Sequence, residues 1–132
     1  MNEVFADTFY WLALLNPHDA HHQEALDAQP DARLVTTWAV LIEVMDALCE
    51  RRSRQLAFRF WQETSTDPEL IVIPLDEEAL HRAAVMFASH ADKDWSMTDC
   101  LSFIVMQDRD ISDALTGDHH FKQAGFQRLL TS

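Results

Sequence analysis

The chain has 132 residues, with 22 Asp and Glu against 10 Lys and Arg and a formal charge of −12. It is 48% hydrophobic, with four Trp, eight Phe, two Gly and four Pro, which excludes a disordered, collagen-like or linker-rich chain and fits one compact domain over residues 1–132. The acidity argues against a general attraction to nucleic-acid backbone or anionic membrane, so any polyanion must be held locally.

Short apolar runs alternate with longer helical patterns, the signature of an α/β domain around a mostly parallel sheet of about five strands. Residues 3–6 (EVFA) predict a first strand ending at Asp7, and 8–15 a first helix broken by Asn16-Pro17. Pro17 is placed to open a second helix running to Ala28. Residues 33–37 (RLVTT) predict the second strand. Thr37 then caps a helix whose Trp38, Leu41, Ile42, Met45, Leu48 and Cys49 form a stripe at helical spacing. A further helix covers 53–64, after Arg51, Arg52 and Arg54. Residues 70–74 (LIVIP), with no polar alternation, predict a strand buried on both faces. A helix over 76–89 opens on Asp76, Glu77 and Glu78. The segment HADKDW leads into Ser96 and the helix MTDCLSFIVMQ, apolar almost all round and therefore deep in the domain. Residues 112–116 predict a strand, 118–124 a short helix stopped by Gly125, and 126–130 a last strand.

The start of the chain has no basic n-region, Asp7 interrupts its apolar run, and no window reaches the ~18 apolar residues of a membrane span. Cys49 and Cys100 lie in apolar stretches without metal-type spacing, which suits reduced thiols. Both features lead us to expect a cytoplasmic protein with no membrane partner.

Asp7 follows the first strand, Asp118 a late strand, and Asp99 lies in the first turn of the buried helix. In an open parallel sheet these positions converge on one crevice. Glu43, six residues into the helix after the second strand, lies within reach of the same edge. Each acid also has a plain structural reading. Asp7 and Asp118 could cap the helices that follow them, Ser96 and Asp99 fit a capping box, and Glu43 shares a polar flank with Asp46 and Glu50. Together, however, four such carboxylates repel one another unless a cation neutralises them. Oxygen ligands without Cys or His point to Mg²⁺ or Mn²⁺.

The segments bearing these acids, VFADTFYWLALL, TTWAVLIEVMDAL, DWSMTDCLSF and ALTGDHHFKQAGF, resemble the PIN-domain family and, within it, the VapC-type toxins of bacterial toxin–antitoxin pairs. The resemblance runs from residue 4 to 126. It implies a three-layer α/β/α fold and a metal-dependent endoribonuclease, with Asp7, Glu43, Asp99 and Asp118 as catalytic and metal-binding residues holding Mg²⁺ or Mn²⁺. It also implies an RNA substrate, a small cognate antitoxin and a homodimer. Cys100 departs from the small residue many relatives carry after this acid. The alternative is a catalytically inactive PIN-like module that binds protein or RNA; the intact quartet argues against it. RNA is favoured over DNA by the resemblance alone.

Thr116 and Ser96 are candidates to hydrogen-bond a carboxylate or a metal water, and Asp94 could add a fifth acid, though a solvated loop explains it better. His119 or His120 could contact a substrate phosphate. His18 and His22 share helical spacing with His21 nearby, but no third ligand completes a zinc site. With only Gly117 and Gly125, no phosphate-binding glycine loop can be written. Arg51, Arg52, Arg54 and Arg59 form the densest positive cluster and could steer RNA or meet an acidic partner.

Overall fold

The computed structural model describes residues 2–131. Five parallel strands form one sheet, β1 (Glu3–Ala6), β2 (Arg33–Thr37), β3 (Ile71–Ile73), β4 (Asp113–Leu115) and β5 (Gln127–Arg128), in the order β3-β2-β1-β4-β5. The helices are α1 (Thr8–Leu15), α2 (His22–Asp27), α3 (Trp38–Ala47), α4 (Arg54–Thr66), α5 (Glu77–Ser89), α6 (Met97–Asp108) and α7 (His119–Gln123), with a 3-10 turn at Arg51–Ser53.

The chain steps outward from β1 through β2 to β3, then crosses to the other side of β1 for β4 and β5. Right-handed crossovers place α1 and α2 on one face and α5 and α6 on the other, giving the three-layer α/β/α architecture, and α3 packs against both α1 and α6. The reversal falls between β1 and β4, where such sheets open a crevice at the carboxyl ends of their strands.

Phe5, Val35, Ala114 and Leu115 fill the middle of the sheet, and Phe103 and Met106 of α6, Phe121 of α7 and Leu41 and Val44 of α3 close over it. Each fully buried Phe or Leu contributes roughly 2 kcal/mol. Phe103 meets Phe121 and Trp95 edge-on, both at 5.0 Å between ring centroids. Because Cys100 to Met106 are all buried, α6 is the central helix its sequence predicts.

Caps fix where the helices begin. Thr37 Oγ1 accepts the Val40 N–H, Asp76 accepts from Ala79, and Ser96 with Asp99 forms a reciprocal capping box. Gly125, at φ +95°, ends α7 in the left-handed conformation that stops a helix, and the Phe126 N–H returns to the Phe121 carbonyl.

Three expectations need correction. The second helix does not open at Pro17: Asn16 Oδ1 accepts the His18 N–H and Asp19 Oδ1 the His21 N–H, holding residues 17–21 in turns until α2 begins at His22. His18 and His22 therefore share no helix, and His22 Nδ1 lies 2.8 Å from the Ala13 carbonyl oxygen. The LIVIP segment forms a half-buried edge strand, since only β2 pairs with it. The last strand shrinks to Gln127–Arg128. Cys49 is exposed beyond the end of α3, whereas Cys100 is buried; both are free thiols. No helix among the described residues is long and apolar enough to cross a membrane.

Candidate metal centre and active site

Asp7 occupies the N-cap position of α1, but its side chain makes no cap bond. Its Oδ2 instead accepts a 2.9 Å hydrogen bond from Thr116 Oγ1, and that hydroxyl accepts the Asp118 N–H at 3.0 Å. The Asp7 N–H in turn reaches the Leu115 carbonyl, tying the end of β1 to the end of β4. Sheet register thus fixes Asp7, and one buried threonine links it to the segment carrying Asp118. Gly117 lies between them, and a Cβ there would stand 2.6 Å from the Phe9 ring. The absent side chain lets Phe9 pack against this turn.

Asp99 and Asp118 fulfil the structural roles foreseen for them and still face the crevice. One oxygen of Asp99 accepts the Ser96 N–H, and one oxygen of Asp118 accepts the His120 N–H. Asp7 and Asp99 are only 4% and 8% exposed, while Asp118 and Glu43 are half-buried. Glu43 enters from α3, and its charge acts on Asp99, though it makes no hydrogen bond or ion pair among the described residues.

Burial pushes the Asp7 carboxyl up to about 7, and repulsion from Asp99 and Asp118 adds to the rise against the bonds from Thr116 and the Thr8 backbone. Burial likewise raises Asp99, opposed by the Ser96 N–H and by His120, with Asp118 and Glu43 pushing it further up. These acids therefore feel one another. The Arg128 guanidinium reaches the segment carrying Asp118 at the Gly117 carbonyl, to which its Nη1 donates at 2.8 Å.

The nearest basic group is His120, which the sequence left level with His119. His120 Nδ1 lies 3.2 Å from an oxygen of Asp99 and 3.2 Å from one of Asp118. The atom is buried, yet no contact has hydrogen-bond geometry, so proximity to two carboxylates does not satisfy it. His119 is largely exposed, with Nδ1 3.6 Å from Asp118. The signal that separates the pair is helical phase, which turns His120 towards α6. Ligand atoms of Asp118, His119 and His120 lie within 4.8 Å of one another. Thr8 Oγ1, next to Asp7 in the chain, is a second buried polar atom without a partner.

The donor set fits a hydrated divalent cation. Buried, mutually repelling carboxylates and an orphaned imidazole nitrogen beside them are the groups such an ion satisfies. Mg²⁺ suits the oxygens, and Mn²⁺ also accepts an imidazole. Asp94 is exposed and Ser96 serves its cap, so neither joins the cluster. An apolar cleft lined by Val85, Met86 and Ile104 between α5 and α6 contains none of these acids.

A parallel five-stranded sheet with acids gathered at its switch point is the arrangement of a PIN domain. The PIN domain family model matches residues 4–127, and the chain belongs to that family. Among curated proteins it is similar to the 23S rRNA-specific endonuclease VapC20 of Mycobacterium tuberculosis strain H37Rv, at 31% identity over 128 residues, covering 93% of this chain and 95% of the relative. The crystal structure of Mycobacterium tuberculosis VapC20, described as a Sarcin-Ricin loop cleaving toxin, superposes with a TM-score of 0.88 at 26% identity, covering 96% of this chain and 98% of that one. A DNA-bound VapBC from Salmonella typhimurium shares the fold, with a TM-score of 0.67 at 14% identity and 97% of each chain covered.

Proposed function

We propose that the protein is a divalent-metal-dependent endoribonuclease acting in the cytoplasm as the toxin of a toxin–antitoxin pair, a single-domain enzyme held inactive by a small cognate antitoxin and assembling as a homodimer. Its assigned catalytic and metal-binding residues are Asp7, Glu43, Asp99 and Asp118. The observation carrying this reading is the buried, unneutralised acid cluster at the β1/β4 switch point, in a chain similar along nearly its full length to an rRNA endonuclease. The Sarcin-Ricin loop named for that relative makes structured ribosomal RNA the first substrate to try.

A bound Mg²⁺ or Mn²⁺ would supply acidification of a water and neutralisation of phosphate charge. The chain's own groups do the rest. Thr116 holds Asp7 in one orientation and fixes the Asp118 backbone, so two acids from different strands keep a constant separation. The capping box locks Asp99 in the same way. Glu43 approaches from α3, which packs against α6, and its charge acts on Asp99. His120 stands beside Asp99 and Asp118, its buried Nδ1 3.2 Å from an oxygen of each.

The test is incubation of the purified chain with a Sarcin-Ricin-type stem-loop RNA in Mg²⁺ or Mn²⁺, beside Asp7→Asn and Asp99→Asn. Cleavage at a defined bond, lost in EDTA and in both variants, is expected. Full activity in either variant would overturn the assignment, and a folded wild-type chain that binds the ion without cutting would favour an inert binding module.

A further inference from the structure

Four of the ten Lys and Arg residues fall within 51–59, a stretch with no acid. The fold gathers them at one place. Trp38, which opens α3, meets Trp61 of α4 at 5.2 Å, so the two helices run back to back as a hairpin with Arg51, Arg52 and Arg54 at its tip. All four arginines are exposed. Arg52 makes one loose, fully solvated contact with Glu50 at 3.4 Å, and Arg54 donates to the Cys49 carbonyl. Arg51 and Arg59 have no hydrogen-bond or ion-pair partner among the described residues. Fold stability does not account for the cluster, because exposed pairs of this kind contribute little.

The same face carries a side chain that packing does not explain. Phe58 is 56% exposed, one helical turn from Arg54. An exposed aromatic ring among exposed guanidinium groups is the pairing that grips unpaired nucleotides, with charge on the phosphates and a flat ring for a base. The tip also lies at working distance from the acids. α3 brings Glu43 to Asp99, and Arg51 follows eight residues later. With four residues at the helical rise to Ala47 and four beyond the end of α3, that separation is about 20 Å at most, or roughly six stacked nucleotides.

We propose that the α3–α4 tip is an RNA-binding platform in which Arg51, Arg52, Arg54 and Arg59 take backbone phosphates and Phe58 stacks an unpaired base, holding a looped RNA beside the acid crevice. The inference rests on the ribonuclease reading above and adds to it the site that selects a looped strand. It also resolves how a chain of charge −12 attracts a polyanion: attraction is confined to one arginine-bearing tip.

The test compares wild type, Arg51→Gln/Arg52→Gln/Arg54→Gln and Phe58→Ala on a Sarcin-Ricin-type stem-loop RNA and on a small chromogenic phosphodiester too short to reach the tip. Binding of the RNA is read by anisotropy with Asp7→Asn in every chain, so that turnover does not intervene. For the triple variant the expected results are RNA KM and Kd about 30-fold higher, kcat unchanged, and a log Kd against log salt slope shallower by about 2, the loss of three single-strand phosphate contacts. Phe58→Ala weakens RNA binding about 10-fold with little change in salt slope. Hydrolysis of the small diester is unchanged in both, and thermal midpoints hold because the residues are exposed. An unaltered KM, Kd and salt slope in the triple variant would overturn the platform, as would unaltered RNA behaviour with lost binding to a purified antitoxin. Wild type that binds RNA with this arginine dependence but cuts neither substrate would overturn the ribonuclease reading and leave the platform standing.

Discussion

Glu3 and Asp7 stand at opposite ends of β1 in opposite electrostatic conditions. Glu3 accepts two hydrogen bonds from Arg109, at 3.0 and 2.7 Å, and this partner holds its carboxyl below the usual range. Asp108 is treated in the same way by Arg82. Asp7, four residues along the same strand, is buried beside two further acids, and its carboxyl is pushed up to about 7. At the amino end of β1 an arginine neutralises Glu3. At the carboxyl edge the chain concentrates acids and leaves the counter-charge to come from outside, which is how a fold stores the capacity to bind a cation.

Breaking the unneutralised end has the largest expected effect. Asp7→Asn lowers RNA cleavage by about 1,000-fold or more, since the carboxylate at the centre of the site is lost. The same change stabilises the metal-free protein at pH 8 by about 2–4 kcal/mol, because a buried charge has gone. Cleavage kinetics and denaturant unfolding on one preparation check both halves. A variant that loses activity and stability together would show that Asp7 serves the fold instead.

The pH dependence of stability sharpens the comparison. Between about pH 4 and about pH 7 the folded chain retains a proton on Asp7 that the unfolded chain has released. The stability contributed by protonated Asp7 is thus fully present below about pH 4 and is lost as pH rises through about 7. The raised Asp99 acts with the same sign. Metal-free protein therefore melts at lower temperature at pH 8 than at pH 5.5. Mg²⁺ or Mn²⁺ at about 100 times its Kd restores roughly 8 °C at pH 8 and less at pH 5.5, where Asp7 holds a proton. Glu3 has the opposite sign, and its exposure to solvent makes its share small.

Two smaller changes probe the supports. Thr116→Val removes the hydroxyl between Asp7 and Asp118 and costs about 1–3 kcal/mol, with a loss of cleavage that Thr116→Ser recovers. Arg109→Gln at the neutralised end costs about 0.5–1 kcal/mol and leaves cleavage unaltered. Urea unfolding and initial rates distinguish the two.

The parallel sheet and the starts of its helices were legible because local signals agreed with the global fold. Thr37, Asp76, Ser96 and Asp118 each cap the helix that their position announces, and the buried α6 stretch reads as apolar on every face. Where a short polar side chain redirected the backbone, the pattern misled: Asp19 captured the His21 N–H that a helix from Pro17 would have used. The LIVIP run showed why an apolar strand does not declare its place in a sheet, since an edge strand packed by helices looks like a central one. Within the site, the sequence placed four acids near one edge but carried no sign of which neighbours would hold them. Thr116 on Asp7 and His120 between Asp99 and Asp118 depend on register across β1 and β4 and on the phase of a five-residue helix.

Calorimetric titration of Mn²⁺ into the metal-free chain at pH 7.5 tests the central claim most directly, with Asp7→Asn and Glu3→Gln beside it. The account predicts saturable binding with proton release in wild type, its loss in Asp7→Asn, and no change in Glu3→Gln. Absence of binding in wild type, or binding that survives Asp7→Asn intact, would contradict it.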